Sequence, residues 1–193
     1  MSVSYTFLVN PHVRQHLKPR SVLPLKPNSV WKIEAGVIRT VTWHEDGTLV
    51  TLGVWGAGDI VGQAFSKIEP YQIECLSIVE AMILPMEECL PMTDVLLSHI
   101  QQVEELMVIR SYKTVEIMLI KLLGWLAKKF GRVVEQGHLI DLRLTHQDIA
   151  DLLNSTRVTI TRALTQLEAQ GLIHRISLHR IVLKEEQIWH YEI

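Results

Sequence analysis

The stretch Thr156–Ile173, TRVTITRALTQLEAQGLI, decides how this chain is read. Ile160, Leu164 and Leu167 recur at i, i+4 and i+7, which places them within about 60° of one another on a helix turning 100° per residue. Val158, Thr161, Arg162 and Thr165 fall on the opposite side, with Arg157 at the flank of the first turn. No Asp, Glu or Lys stands between Arg157 and Leu167, so the outer face is neither acidic nor laced with ion pairs. Such a face has the chemistry to read a nucleic acid. Arg donates two hydrogen bonds to guanine O6 and N7, Thr and Val methyls meet a thymine methyl, and hydroxyls reach phosphates. The competing reading is an amphipathic helix whose polar face is merely solvated.

The flanking sequence favours the first reading. Upstream, Thr145 followed by Asp148 fits an N-cap with a carboxylate in the first turn. The short helix HQDIADLL then turns Ile149, Ala150 and Leu153 inward. Asn154-Ser155 forms a turn, with Ser155 or Thr156 capping the second helix and Gly171 stopping it. LIHRISLHRIVL reads as two short strands around Ser177-Leu178-His179. Two helices about three residues apart, the second longer and followed by a hairpin, make the plan of a winged helix-turn-helix. The charge balance agrees. Residues 121–184 hold ten Lys and Arg against five Asp and Glu, a balance of +5, within a chain of net charge −2 whose remainder carries −7. A basic segment on an otherwise acidic chain is the footprint of a polyanion site.

Further upstream, residues 20–86 read as short strands. VWKIEAGVIRTVTW and TLVTLGVW flank HEDG, and Asp46-Gly47 between them signals a hairpin with a type I′ turn. Gly56, Gly58 and Gly62 mark tight turns, and YQIECLSIVEAMILPM resumes the strand pattern. The texture changes at Leu90. Residues 93–131 contain no proline and one internal glycine, Gly124. Leu96, Ile100, Val103 and Met107 alternate spacings of four and three, with Glu104 and Glu105 beside them. That seam suits either an intramolecular core or self-association. Val115, Met118, Leu119, Leu122 and Leu126 form a second apolar set, closed by Lys128, Lys129 and a Gly131 stop.

Composition narrows the class. With 193 residues, 48% hydrophobic and 21% charged, the chain suits one large soluble domain or two small ones. No apolar run reaches the roughly 18–20 residues of a membrane span, and the N-terminus lacks a signal-peptide pattern, so a cytoplasmic protein is expected. Cys75 and Cys89 are too few for a four-cysteine cluster and are read as buried or incidental thiols. The nine histidines form no HxH or HExxH motif, so no metal or haem site is expected. An enzyme on the strand-rich half would need clustered His and carboxylates, and residues 31–86 offer only His44 among histidines.

LTHQDIADLLNSTRVTITRALTQLEAQGLIHR resembles the DNA-binding region of the CRP/FNR family of bacterial transcription regulators. STRVTITR is most similar to the recognition helix of the cyanobacterial nitrogen-control regulators. WKIEAGVIRTVTWHEDGTLVTLGVWGAGDIVGQ resembles the family's β-roll, with its strand–glycine–strand and GxGDxxG turn, and residues 90–130 its dimerisation helix and the helix after it. The resemblance implies an α+β fold: an N-terminal antiparallel β-roll of cyclic-nucleotide-binding type (1–90), a dimerisation helix (91–113) and a C-terminal winged helix-turn-helix (114–193). It implies a homodimeric regulator of double-stranded DNA, not an enzyme, acting on an inverted repeat, with RNA polymerase as an open further partner. Leu96, Ile100, Val103 and Met107 would join the subunits. Arg157 and Arg162 match the family's arginines that reach guanines or adjacent phosphates; Thr156, Thr159 and Gln147 match phosphate contacts, and Thr161 shares their face. Val158 stands where many members carry a base-reading glutamate. The alternative function is an adaptor or small-ligand module that uses the winged helix for protein contacts.

The sensor half departs from the cyclic-nucleotide members. Gln63 stands near their acidic position, no Arg-Ser pair follows, and Lys67 is the cation available, so cyclic AMP is not expected and no cofactor is assigned. The chain before Trp31 is short for the family's N-terminal strands, and 91–110 is short for its dimer helix, which makes a truncated roll an open alternative. The effector is unassigned. 2-Oxoglutarate is the metabolite to test, because of the recognition helix's likeness.

Overall fold

The computed structural model describes residues 12–89, 91–177 and 179–184. Its first half is two antiparallel sheets built from β1 (Arg14–Leu17), β2 (Val22–Leu23), β3 (Ser29–Ala35), β4 (Ile38–Trp43), β5 (Leu49–Trp55), β6 (Ile60–Val61), β7 (Gln72–Cys75) and β8 (Val79–Pro85). One sheet runs β1-β8-β3-β6 and the other β2-β7-β4-β5. Among the described residues two strands, β1 and β2, therefore precede the one that holds Trp31. The sheets enclose Trp31, Ile33, Ile38, Trp55, Ile73, Val79 and Ile83.

Gly36 divides VWKIEAGVIRTVTW between the two sheets. Its φ of +85° suits glycine, and a Cβ there would stand 2.1 Å from the Ile78 carbonyl oxygen, so the chain crosses where no side chain fits. The β4–β5 hairpin corrects the type I′ expectation. Gly47 has φ +83°, while Asp46 is not in the left-handed region. Gly47 N–H donates to His44 O (2.9 Å) and His44 N–H to Thr48 O (3.0 Å), giving a three-residue loop, Glu45-Asp46-Gly47. Asp46 keeps an ordinary backbone because its carboxylate accepts from Thr48 N–H at 2.8 Å, a bond that also holds the carboxyl below its usual pKa.

A short α1 (Met86–Cys89) leads to α2 (Thr93–Arg110), α3 (Val115–Phe130), the hairpin β9 (Gly131–Val134) and β10 (Gly137–Ile140), α4 (His146–Leu153), α5 (Arg157–Ala169), β11 (Ile173–Ser177) and β12 (Arg180–Leu183). The last four strands form one sheet in the order β11-β12-β10-β9. Leu178, at the expected wing turn, lies outside the described residues. One core is continuous across the halves, running from Val37, Val54 and Leu76 through Leu106 and Ile109 to Leu122, Ile149, Ile160 and Leu164. No helix among the described residues is long and apolar enough to cross a membrane.

α3 stops at Gly131 as read in the sequence, but without the left-handed backbone usual for a glycine cap. Gly131 has φ −93° and opens β9; it is glycine because a Cβ would meet Ala127 O at 2.2 Å. Lys129 does not serve the helix terminus in solvent. Its ammonium turns inward and donates to Asp59 Oδ2 (2.8 Å), Val54 O (3.2 Å) and Gln102 Oε1. It lies 5.2–5.7 Å from the ring centres of Trp55, Trp125 and Phe130, within cation–π range. Asp59, from the GxGDxxG turn, also accepts from Gln102 Nε2 at 2.8 Å and from Gly56 N–H at 2.7 Å. This single buried pair thus joins the roll, α2 and α3.

Candidate nucleic-acid interface

The interface begins at the capped start of α4. Thr145 Oγ1 accepts from Asp148 N–H (3.1 Å) while Asp148 Oδ2 accepts from Thr145 N–H (2.8 Å), a reciprocal capping box. Asn154 closes α4 in the left-handed conformation, φ +50°, and the chain re-enters a helix two residues later. Thr156 caps α5, its Oγ1 accepting from Thr159 N–H at 3.2 Å and lying 2.8 Å from Thr159 Oγ1. Ile160, Ala163, Leu164 and Leu167 are buried beneath it. α5 is therefore pinned by one face.

Its other face is uncovered. Arg157, Val158, Arg162 and Thr165 are exposed, Val158 by 59%, and among the described residues neither arginine makes an ion pair. Thr161 behaves differently from the others. It is half-buried, its hydroxyl donates to Arg157 O (2.8 Å), and His146 Nδ1 lies 2.8 Å from that oxygen. Thr161 thus braces the helix start as well as sharing the outer face. Gln147 is exposed and its amide donates to Asp151 Oδ1 at 2.7 Å. As an early residue of α4 its backbone N–H has no intrahelical acceptor, and such groups attract anions.

Three further basic side chains join this face that the sequence reading did not single out. His146 and His179 line a cavity of about 560 Å³ with Thr145, Gln147, Arg157 and Thr161. Arg180 lines the next one with Arg143, Ser177 and His179. Burial pushes the His146 pKa down, and Arg175, Arg157 and His179 push it further, so the ring is neutral near pH 7 and supplies hydrogen bonds rather than charge. Arg175 is held by Glu168, with Nε to Oε2 at 2.8 Å, so it braces α5 against β11. The wing brings His179 beside the start of α4 and Arg180 beside residues 141–143, and only strand pairing reveals that proximity.

The seam of α2 divides in the folded chain. Ile100, Val103 and Met107 are 54%, 40% and 63% exposed, and Leu97 is exposed beside them. Leu96 packs inward against Val30, Ile60 and Leu84. Glu104 is exposed, whereas Glu105 accepts from Trp125 Nε1 at 2.7 Å. In the sensor half Lys67 is exposed and Gln63 half-buried. His12 and His16, four apart in HVRQH, approach separate carboxylates, Glu88 at 3.2 Å and Glu80 at 3.4 Å. Among the described residues no group of three or more His, Cys, Asp or Glu could hold a metal ion.

Comparison with known proteins agrees with this geometry. Residues 119–187 match the Crp-like helix-turn-helix domain. Regulatory protein CysR of Synechococcus elongatus is 38% identical over 182 residues, covering 93% of this chain and 87% of that protein. The chain belongs to the CRP/FNR family. This regulator is also similar to the global nitrogen regulator of Synechococcus elongatus, at 33% identity over 75% of this chain and 72% of that protein. Its fold is that of a CRP-family transcriptional regulator from Thermus thermophilus, with a TM-score of 0.77 at 21% identity over 92% of this chain and 94% of that one. FixK2 from Bradyrhizobium japonicum gives the same TM-score at 17% identity over 94% and 98%. The regulator therefore carries a DNA-binding helix-turn-helix behind a β-roll of cyclic-nucleotide-binding type, in a family of transcription regulators rather than enzymes.

Proposed function

We propose that the regulator works in the cytoplasm as a homodimer on an inverted-repeat operator, with one α5 entering each of two successive major grooves. The observation that carries this reading is the uncovered outer face of α5, free of carboxylates from Arg157 to Leu167, where two arginines without an ion pair among the described residues flank an exposed valine. Arg157 and Arg162 read bases, and Thr156, Thr159 and the start of α4 at Gln147 hold phosphates and so set register. Thr161 holds Arg157 in place from behind. The exposed strip Ile100, Val103 and Met107 pairs α2 with its copy. RNA polymerase is the further partner that a bound activator would meet.

Val158 sets the operator apart. A valine cannot accept a hydrogen bond from cytosine N4, whereas its methyls suit a thymine methyl. Selection of bound DNA from a random pool should return a half-site whose central base pair changes in the Val158→Glu variant. Recovery of one half-site by both proteins would remove the valine contact, and no enrichment by either would remove the DNA reading itself. Running the parent with and without 2-oxoglutarate tests the metabolite in the same experiment. Cyclic AMP is expected to change nothing, because the roll lacks the Arg-Ser pair and Lys67 points to solvent.

A further inference from the structure

Five charged side chains lie across the boundary between the roll and the helix-turn-helix; Asp148 also closes the α4 capping box and Asp151 accepts from Gln147, but none of the five stands on the DNA face of α5. Arg39, the second residue of β4, is 5% exposed. Its Nε donates to Glu74 Oε2 at 2.8 Å, its Nη1 to Asp151 Oδ2 at 3.0 Å, and Nη1 lies 3.6 Å from Asp148 Oδ1. Arg20, in the turn between β1 and β2, makes a two-pronged pair with Asp148, both bonds 2.8 Å, and reaches Glu74 at 3.2 Å. Asp148 and Asp151 belong to α4, while the other three belong to the roll. Next to them Arg110, at the end of α2, donates to Leu152 O in α4 (2.7 Å) and to Thr51 O in β5.

Cohesion alone does not require this arrangement. The apolar core already runs through the boundary, and a buried guanidinium is costly unless fully paired, so apolar residues would hold the halves together at least as well. What an ionic cluster adds is directionality. Its best-attested use is to select one register among several apolar packings. Here two roll arginines, both held by Glu74, address two carboxylates one turn apart on α4, so rotation of α4 by a single residue breaks both sets of bonds. The covalent path between the roll–α2 unit and the helix-turn-helix passes through residues 111–114, which are neither helix nor strand. With the cluster closed, Arg157, Val158 and Arg162 stay uncovered.

We propose that Arg20, Arg39, Glu74, Asp148 and Asp151 form an orientation clasp that fixes the angle of the helix-turn-helix on the roll in the DNA-reading pose, with no ligand in the roll. The proposal rests on the DNA reading given above. The clasp makes the roll sheet β2-β7-β4-β5 part of the reading apparatus.

The test uses the full chain with substitutions on the roll side, away from the DNA face. Arg39→Gln removes the central cation. Arg20→Gln, in a half-exposed turn, serves where the first variant disturbs the roll. Two quantities are read: amide hydrogen exchange across residues 111–114 and α4, and affinity for the DNA selected by the parent. A working clasp gives exchange faster by about tenfold in those segments with β3 and β8 as protected as in the parent. It also gives specific affinity lower by about tenfold, with binding to random DNA unchanged. Parental exchange at 111–114 in both variants overturns the proposal, and so does tighter specific binding, which would mark the closed cluster as a non-reading pose. Failure of the parent to select DNA sinks the functional reading instead, while the exchange measurement still decides the clasp.

Discussion

Replacing both Val103 and Met107 by glutamate should turn the regulator into a monomer and lower its affinity for an inverted repeat by roughly 10²–10⁴-fold, the scale lost when two linked contacts become independent. α2 has 18 residues, about 27 Å at 1.5 Å per residue, enough for a short two-helix seam. On it Leu97, Ile100, Val103 and Met107 are exposed, while the helix's inward residues Leu106 and Ile109 are buried in the core. The apolar strip therefore lies beyond what the single chain's own packing needs. Two glutamates at its centre would meet two more from the partner, and four like charges in an apolar seam are strongly unfavourable. Since both positions are exposed in the monomer, the fold itself should change by no more than about 0.5 kcal/mol. Sedimentation velocity and urea unfolding of the double variant check the two halves of the statement. A stable dimer in that variant would move the subunit contact elsewhere.

Asp59→Ala should destabilise the chain by up to about 3 kcal/mol, the low end for a buried pair, because it leaves the largely buried Lys129 ammonium without its bonded counter-charge. Lys129 also bonds Val54 O and Gln102, which carry no negative charge, and Glu105 remains only as a more distant carboxylate. The pH dependence follows from the direction of its shift. Burial lowers the Lys129 pKa below the ordinary 10.5, and Asp59 pulls it back up without cancelling the effect. Without Asp59 the folded pKa falls further. Between that value and 10.5 the unfolded chain binds more protons than the folded one, so stability rises with pH across the window. The penalty is complete below the folded pKa and is relieved as the pH climbs toward the ordinary lysine value. Urea unfolding at pH about 7 and about 9.5 should therefore show a smaller gap between variant and parent at the higher pH. An equal gap at both would mean that Asp59 acts through the Gly56 turn and not through Lys129.

What could be read from the sequence was whatever repeats or caps locally. Ile160, Leu164 and Leu167 gave the buried side of α5 through their period, and Thr145 with Asp148 gave the start of α4 through its cap. Gly47 marked the β4–β5 turn, yet its type depended on Asp46 bonding Thr48 N–H, a choice between two local solutions that a dipeptide cannot make. β9 and β10 were missed because four residues each, split by Glu135-Gln136, carry too little alternation to stand out. Lys129 looked like a cation at a helix end, and its true partner, Asp59, is seventy residues away. The clasp is more distant still, with Arg39 and Asp151 separated by 112 positions. One trace of it was present. Arg39 interrupts a strand, IRTVTW, in which Ile38, Thr40 and Val41 are buried, and a charged residue there must find a partner.

The central claim is that two copies of α5 read two half-sites at a distance set by the dimer. The measurement that addresses it most directly is affinity for paired half-sites as their separation is varied one base pair at a time. The regulator should bind best with half-site centres about 10–10.5 base pairs apart, and lose that gain when about five more place the second half-site on the opposite side of the duplex. Affinity that does not depend on the separation, or that matches a single half-site throughout, would contradict the account.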